Sequence, residues 1–246
     1  MVTECVHRKG NRGLYWTLAA TLLSLLTPQP TLAQTPDDIR TELWLDYNPS
    51  WGLGRNTEFY GDIGVRSDLE LSGYYRIVVR PSIRYSPSSS VRIAGGLGSF
   101  YTHNDIIANR WEIRPWQGVT VTWPRRRVSL EHFVRLEEMF DFNTTTWESL
   151  NSIRARYRLR AFTNFGATRP GRYWRVMGSV EVFATLAGEQ GQSREWFRLT
   201  AGLERGFQPG LRMRFDSTWE KEGRIFGDGS TDNIFLRVRL FTKFGA

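Results

Sequence analysis

The sequence predicts an all-β protein: a single antiparallel transmembrane β-barrel of 12 or 10 strands, laid out as an up-and-down meander behind a cleaved signal peptide. Three observations point there. A basic, then apolar N-terminal stretch ends at a small-residue cleavage site. Eleven later segments alternate with period two. In those segments charge gathers on one face, while aromatic residues sit near the ends of the other. Composition agrees, since 40% hydrophobic and 24% charged residues exclude both a helical membrane bundle and a disordered chain. One Cys and three His leave little material for a disulfide scaffold or a metal cluster, so neither cofactor nor metal is expected.

The N-terminal element is an address. His7, Arg8, Lys9 and Arg12 form a basic region, Leu14 to Leu26 carries no charge, and Thr31-Leu32-Ala33 offers the cleavage site. The apolar run is too short for a spanning helix, which needs roughly 20 residues, and Pro28 and Pro30 end it. Residues 1–33 therefore read as a signal peptide and 34–246 as the barrel; Cys5 leaves with the signal. No later apolar run is long enough to span as a helix. An exported chain of this kind can enter a membrane only as a closed barrel, because only helices and barrels satisfy every backbone polar group in lipid. The expected location is the outer membrane of a Gram-negative bacterium, with outer-membrane lipid as the surrounding partner.

The barrel segments follow in order. The segment at 41–53 puts Glu42 and Asp46 on one face and Tyr47 and Trp51 on the other. Segment 57–66 carries Glu58, Asp62 and Arg66 on its charged face. In 74–85, Arg76, Arg80 and Arg84 oppose Tyr75, Ile77, Val79, Ile83 and Tyr85. Segment 91–101 has Arg92 on the charged face and Gly95, Gly96 and Gly98 mid-strand, where a missing side chain suits close packing or curvature. Segment 111–123 holds Glu112 and Arg114, with Trp111 and Trp123 at the ends of its apolar stripe. Segment 128–138 holds Glu131, Arg135 and Glu137, while His132 and, near the strand end, Glu138 fall on the apolar face. In 152–163, Arg154, Arg156, Arg158 and Arg160 alternate with Ile153, Ala155, Tyr157, Leu159 and Ala161. Segment 174–185 sets Arg175 and Glu181 against Trp174, and 195–207 sets Arg198 and Glu204 against Phe207. In 211–221, Arg212, Arg214, Asp216 and Glu220 oppose Leu211, Met213, Phe215 and Trp219. In 233–244, Arg237, Arg239 and Lys243 oppose Ile234, Leu236, Val238, Leu240 and Phe244.

Turn residues punctuate the segments at Gly54-Arg55-Asn56, Ser86 to Ser90, Gln208-Pro209-Gly210 and Gly227-Asp228-Gly229. Short and long connections alternate, as periplasmic turns and outer loops do. Eleven is an odd count where single-chain bacterial barrels are even, which is why 12 or 10 strands are expected. A soluble lipocalin-like periplasmic binder would turn the apolar stripe inward, whereas an outer-membrane barrel turns it to lipid and the charge to the lumen. Aromatic placement favours the second, because Tyr75, Tyr85, Trp111, Trp123, Trp174, Trp219 and Phe244 fall where lipid-interface girdles would lie. Phe244 also closes a final amphipathic strand, like the terminal aromatic signal by which barrel-insertion machinery takes up outer-membrane proteins, although Gly245-Ala246 follow it.

The charged face carries the functional information. Lys9, Lys221 and Lys243 are the only lysines, so the 33 basic residues are nearly all arginine. The planar guanidinium pairs bidentately with carboxylates, so arginines and glutamates on neighbouring strands would form an ion-paired lumen. A barrel of about 8–12 strands is either filled by side chains or left with a thin channel. The lumen is thus either a structural plug or a small anion-preferring channel, non-enzymatic in both cases. An alternative is a lipid-modifying enzyme with its site at the outer rim near His103, although neither His103 nor His132 has a serine following closely. A loop calcium site at Asp228 and Asp232 has weak spacing. Nucleic acid is not an expected partner of an exported chain whose arginines alternate with aliphatics as a sheet face does.

Three segments together carry a resemblance: Glu112-Ile113-Arg114-Pro115-Trp116-Gln117, Leu130 to Glu138, and Arg154 to Arg160, with Glu42-Leu43-Trp44 in support. They resemble the domain of unknown function 2490 family of exported bacterial proteins over nearly the whole mature chain. The resemblance implies an outer-membrane barrel of unassigned activity and transfers no catalytic residue. The second of these segments lacks the fuller arginine run of the family pattern.

Overall fold

A computed structural model describes residues 39–70, 73–124, 127–188, 195–222 and 231–245. The signal peptide, the lead to residue 38, the turn at 227–229 and Asp228 of the calcium reading lie outside them. Every regular element among the described residues is a strand: β1 Ile39–Gly52, β2 Thr57–Tyr60, β3 Ile63–Asp68, β4 Tyr75–Val79, β5 Ser82–Tyr85, β6 Val91–His103, β7 Arg110–Trp123, β8 Ser129–Asn143, β9 Ser149–Arg169, β10 Arg172–Gly188, β11 Glu195–Gln208, β12 Leu211–Glu222 and β13 Thr231–Phe244. β2 and β3 are successive halves of one stave, as are β4 and β5, because both halves keep one register against their neighbours. The thirteen elements therefore make a closed barrel of 11 staves.

The expected 12 or 10 strands and the wholly antiparallel meander are both corrected by the closure. Successive staves pair antiparallel, but β1 and β13 run parallel, from Ile39 opposite Asp232 to Trp51 opposite Phe244. Geometry requires this: in a meander every stave reverses direction, so with an odd number the first and last point the same way. An odd-stranded mitochondrial barrel meets the same constraint. One consequence is that β1 begins at one rim and β13 ends at the other.

The split staves have a local cause. Pro49 in β1 and Pro81 beyond β4 stand opposite Gly61 from its two sides, and neither has an N–H to give to the ladder. Leu97 and Pro115 continue the same row across β6 and β7. What remains there is one-sided: the amide of Gly61 donates to the Pro49 carbonyl at 2.8 Å and that of Leu97 to the Pro81 carbonyl at 3.1 Å.

The packing is inverted relative to a soluble barrel. Leu45, Val65, Ile77, Ile93, Val119, Val134, Leu159, Val180, Leu199, Phe215 and Leu240 face outward and are exposed, while Glu42, Asp46, Arg66, Glu112, Glu131, Arg135, Glu137, Arg154, Glu204 and Asp216 are buried inside. Among the described residues the buried apolar side chains, Trp44, Val78, Phe100, Met177, Phe183, Phe235 and Phe241, are outnumbered by buried polar and charged ones. One outward charge is placed differently from the sequence expectation. β8 runs on to Asn143, so Glu138 lies inside the strand and not near its end, exposed beside Pro115. The staves' ends mark two rims: those ending at Gly52, Tyr85, Trp123, Arg169 and Gln208 define one, called the short-turn rim because mostly short chain intervals follow them, and those ending at Asp68, His103, Asn143, Gly188 and Glu222 define the other, the long-loop rim.

Candidate functional site

Period two sends every second residue of each stave inward, and cross-strand register then decides which charges meet. Glu137 stands opposite Arg154, Glu131 opposite Arg160, Glu204 opposite both Arg175 and Arg214, and Glu220 opposite Arg198. Each of these register pairs is an ion pair in space. Arg80 likewise pairs with Asp62 directly across its ladder, whereas others form on the diagonal: Arg156 with Glu181, Arg237 with Asp46, and Arg239 with Asp216 at 3.3 Å.

Two carboxylates act as hubs. Glu137 is 1% exposed and meets Arg154, Arg135 at 2.8 Å and Arg114 at 3.6 Å. Glu204 is 0% exposed; Arg214 donates to it through Nε at 3.0 Å and Nη2 at 2.7 Å, Arg175 through Nη1 at 3.2 Å, and the Tyr173 hydroxyl at 2.8 Å, with Arg212 at 3.6 Å. A carboxylate shared by several guanidinium groups is how buried charges become tolerable, because the Coulomb term offsets desolvation. Aromatic rings cover the open guanidinium faces. Arg66 lies 3.8 Å over Trp44 and Arg135 lies 4.0 Å over Trp116, and Trp44 in turn stacks on Phe235 and donates its Nε1 hydrogen to Glu42 at 2.7 Å.

All fourteen residues expected in the lumen point into the barrel: Arg76, Arg80, Arg114, Glu131, Arg135, Glu137, Arg154, Arg156, Arg158, Arg160, Arg212, Arg214, Arg237 and Arg239. They do not form one site. Arg212 belongs to the short-turn end, whereas Arg76, Arg80, Arg114, Arg154 and Arg156 line a cavity of about 510 Å³ beneath the long-loop rim. Sequence reasoning missed the rest of that wall: Phe100, Met139, Phe183 and Trp196 from inward positions, and the rim pair Arg110 and Asp141, whose guanidinium donates through Nε at 2.9 Å and Nη2 at 2.6 Å. Of the β6 glycines, Gly96 and Gly98 serve close approach, whereas a Cβ on Gly95 would make only an ordinary contact. A Cβ on Gly96 would stand 2.5 Å from the Pro81 carbonyl oxygen and 2.8 Å from the Ser82 Cβ.

The histidines sit apart from this wall. His103 ends β6 at the long-loop rim, hydrogen-bonded to Asp105 at 2.9 Å and stacked on Tyr75. His132 faces outward, with Nδ1 2.8 Å from the Tyr157 hydroxyl and its ring against Trp123. Among the described residues, no group of three or more His, Cys, Asp or Glu comes together as a metal site. The expected interface aromatics Tyr75, Tyr85, Trp111, Trp123, Trp174, Trp219 and Phe244 all face outward and are exposed. Tyr75, Trp111 and Trp219 lie toward the long-loop rim, and the other four toward the short-turn rim.

The segments that carry the family resemblance therefore converge inside the barrel: Glu42 and Trp44 of β1, Glu112, Arg114 and Trp116 of β7, Glu131, Arg135 and Glu137 of β8, and the arginines of β9. Residues 41–245 match the family model described as protein of unknown function, DUF2490. The chain belongs to the DUF2490 family. No curated protein and no solved structure matches this DUF2490 chain. In this DUF2490 barrel those segments contribute to the ion-paired interior.

Proposed function

We propose that this DUF2490 protein is a non-enzymatic β-barrel of the Gram-negative outer membrane, with lipid around its outer face and a lumen closed by ion pairs. The observation that carries the proposal is the outward face. It is aliphatic in the middle and bounded by aromatic residues toward both rims. Tyr75 and Tyr85 stand at opposite ends of one stave, ten residues apart, which is about 33 Å along the strand. With a tilt of about 40° that becomes about 25 Å along the barrel axis, the height of the apolar band of outer-membrane barrels. Water would not favour so continuous an apolar exterior, because single exposed apolar residues are ordinary but an all-round band is not.

The closed lumen is supported by the hubs. Glu137 and Glu204, both fully enclosed, are bridged to arginines of neighbouring staves, and guanidinium groups stack against rings where a channel would need water. Signal-directed export, with β13 and its Phe244 engaging the barrel-insertion machinery, completes the proposal. Purified barrel in planar bilayers should then show no steady conductance above the bare membrane. A second reading, a small anion-preferring channel, is favoured by one observation: arginines predominate in the wall of the 510 Å³ cavity. It predicts steady current with a reversal potential set by the anion gradient.

A further inference from the structure

Within the cavity wall one cation stands out. Arg66 is 9% exposed, forms no ion pair with a described residue, and its Nε has no hydrogen-bond partner. One face of its guanidinium is taken by Trp44 at 3.8 Å, which leaves the donor edge for the cavity that it lines. Directly opposite it in register is a second arginine, Arg76, although like charges facing each other across a ladder repel. Around the buried ring of Phe100 the guanidinium carbons of Arg114, Arg76, Arg80 and Arg66 lie at 4.5, 5.4, 5.8 and 6.0 Å from its centroid. Of the nearby carboxylates, Asp62 is shared further with Arg237 and Glu137 with Arg135 and Arg154, while Glu112 serves both Arg76 and Arg114. Positive charge exceeds negative charge here, in a cavity of about 510 Å³, ample for a small anion.

A buried, uncompensated arginine is costly, and chains that keep one give it a counter-charge. We propose that the cavity beneath the long-loop rim is a binding site for one phosphate-type oxyanion, held by Arg66 together with Arg76 and Arg80. The Arg66 fork, whose Nε has no partner, suits a bidentate bond to one edge of a tetrahedral oxyanion. Arg76 and Arg80 on the facing stave, already held by Thr102, Glu112 and Asp62, add positive charge beside it. Phe100 supplies a dry wall, and Trp44 covers one face of the Arg66 guanidinium, which keeps those bonds strong. The site needs only the barrel interior and is independent of which compartment holds the barrel.

The test uses the mature chain, folded in a non-ionic maltoside detergent and titrated with inorganic phosphate against sodium chloride of equal ionic strength. Thermal unfolding should shift saturably, by about 5 °C or more when phosphate stands a hundredfold above its Kd. Arg66→Gln should abolish the shift, Arg66→Lys should weaken it, and Arg212→Gln at the opposite end should leave it intact. The proposal is overturned if chloride gives the same shift or if Arg66→Gln retains it. Should Arg66→Gln not fold, phosphorus NMR of the unaltered barrel decides: saturable line broadening supports the site, and a sharp, unperturbed line overturns it. Competition names the source of the phosphoryl group. Displacement of inorganic phosphate by glycerol phosphate supports a soluble ester, displacement only by dihexanoyl phosphatidate supports a lipid headgroup, and displacement by neither supports free phosphate as the oxyanion. Because the barrel is already in detergent, these outcomes are separate from whether it resides in a membrane.

Discussion

Replacing Glu137 by Gln removes one charge and almost no volume, yet it strikes one of the two hubs of the lumen. Arg114 keeps a second partner in Glu112, but Arg135 and Arg154, each 7% exposed, lose the carboxylate they share. Removing one partner of a buried ion pair costs roughly 3–5 kcal/mol, because the remaining charge stays buried without compensation. For a chain of this size that is a fall in unfolding temperature of about 10 °C. The assay is urea unfolding in lipid vesicles followed by tryptophan fluorescence, with unboiled electrophoresis as a second readout. A paired change, Glu137→Gln with Arg154→Gln, should recover part of the loss, because coupled partners are not additive. The neighbouring Glu138 is the internal control. It faces outward, so Glu138→Leu in vesicles should stabilise by about 1 kcal/mol, since a carboxylate on the lipid face is unfavourable. If Glu137→Gln stays within about 0.5 kcal/mol of the parent, as surface changes do, then Glu137 is not a buried hub and the closed lumen fails with it.

Other predictions follow from single contacts. Gly96→Ala should cost about 1–3 kcal/mol through overpacking against Pro81 and Ser82, while Gly54→Ala, with open space around its would-be Cβ, should be neutral in the same denaturation series. Brominated lipid should quench single-tryptophan variants retaining Trp111, Trp123, Trp174 or Trp219 and spare those retaining Trp44 or Trp116; the reverse pattern would place the apolar stripe inside. His103→Ala should leave barrel stability within about 0.5 kcal/mol and cause no loss of any lipid-directed activity, measured by mass spectrometry of extracted lipids.

The faces of the strands were legible because period two is a local property: Arg154, Arg156, Arg158 and Arg160 can point to only one side whatever they pair with. So were the eleven staves themselves, which the segments marked one for one, even the two that the proline row divides. The expected even count came from an assumption about how such barrels close, and the parallel pairing of β1 with β13 removes the need for it. Glu138 was misplaced because Met139, an apolar residue on the charged side, blurs the alternation and made β8 look shorter than it is. The row from Pro49 through Gly61, Pro81 and Leu97 to Pro115 could not be read at all. It exists only once register aligns residues far apart in the chain. The same holds for Arg66: its place on the charged face was local, but its lack of a carboxylate depends on which residues β1, β4 and β6 bring beside it. Partnering across a barrel is a property of closure.

The central claim is that the apolar face meets lipid, and one experiment addresses it without any variant. The chain is exported in a Gram-negative host, inner and outer membranes are separated on a density gradient, and the fractions are run with and without boiling. Recovery is expected in the dense outer-membrane fraction, with a faster, compact band when the sample is not boiled. Recovery with the soluble periplasm, at a mobility that boiling does not change, would contradict it.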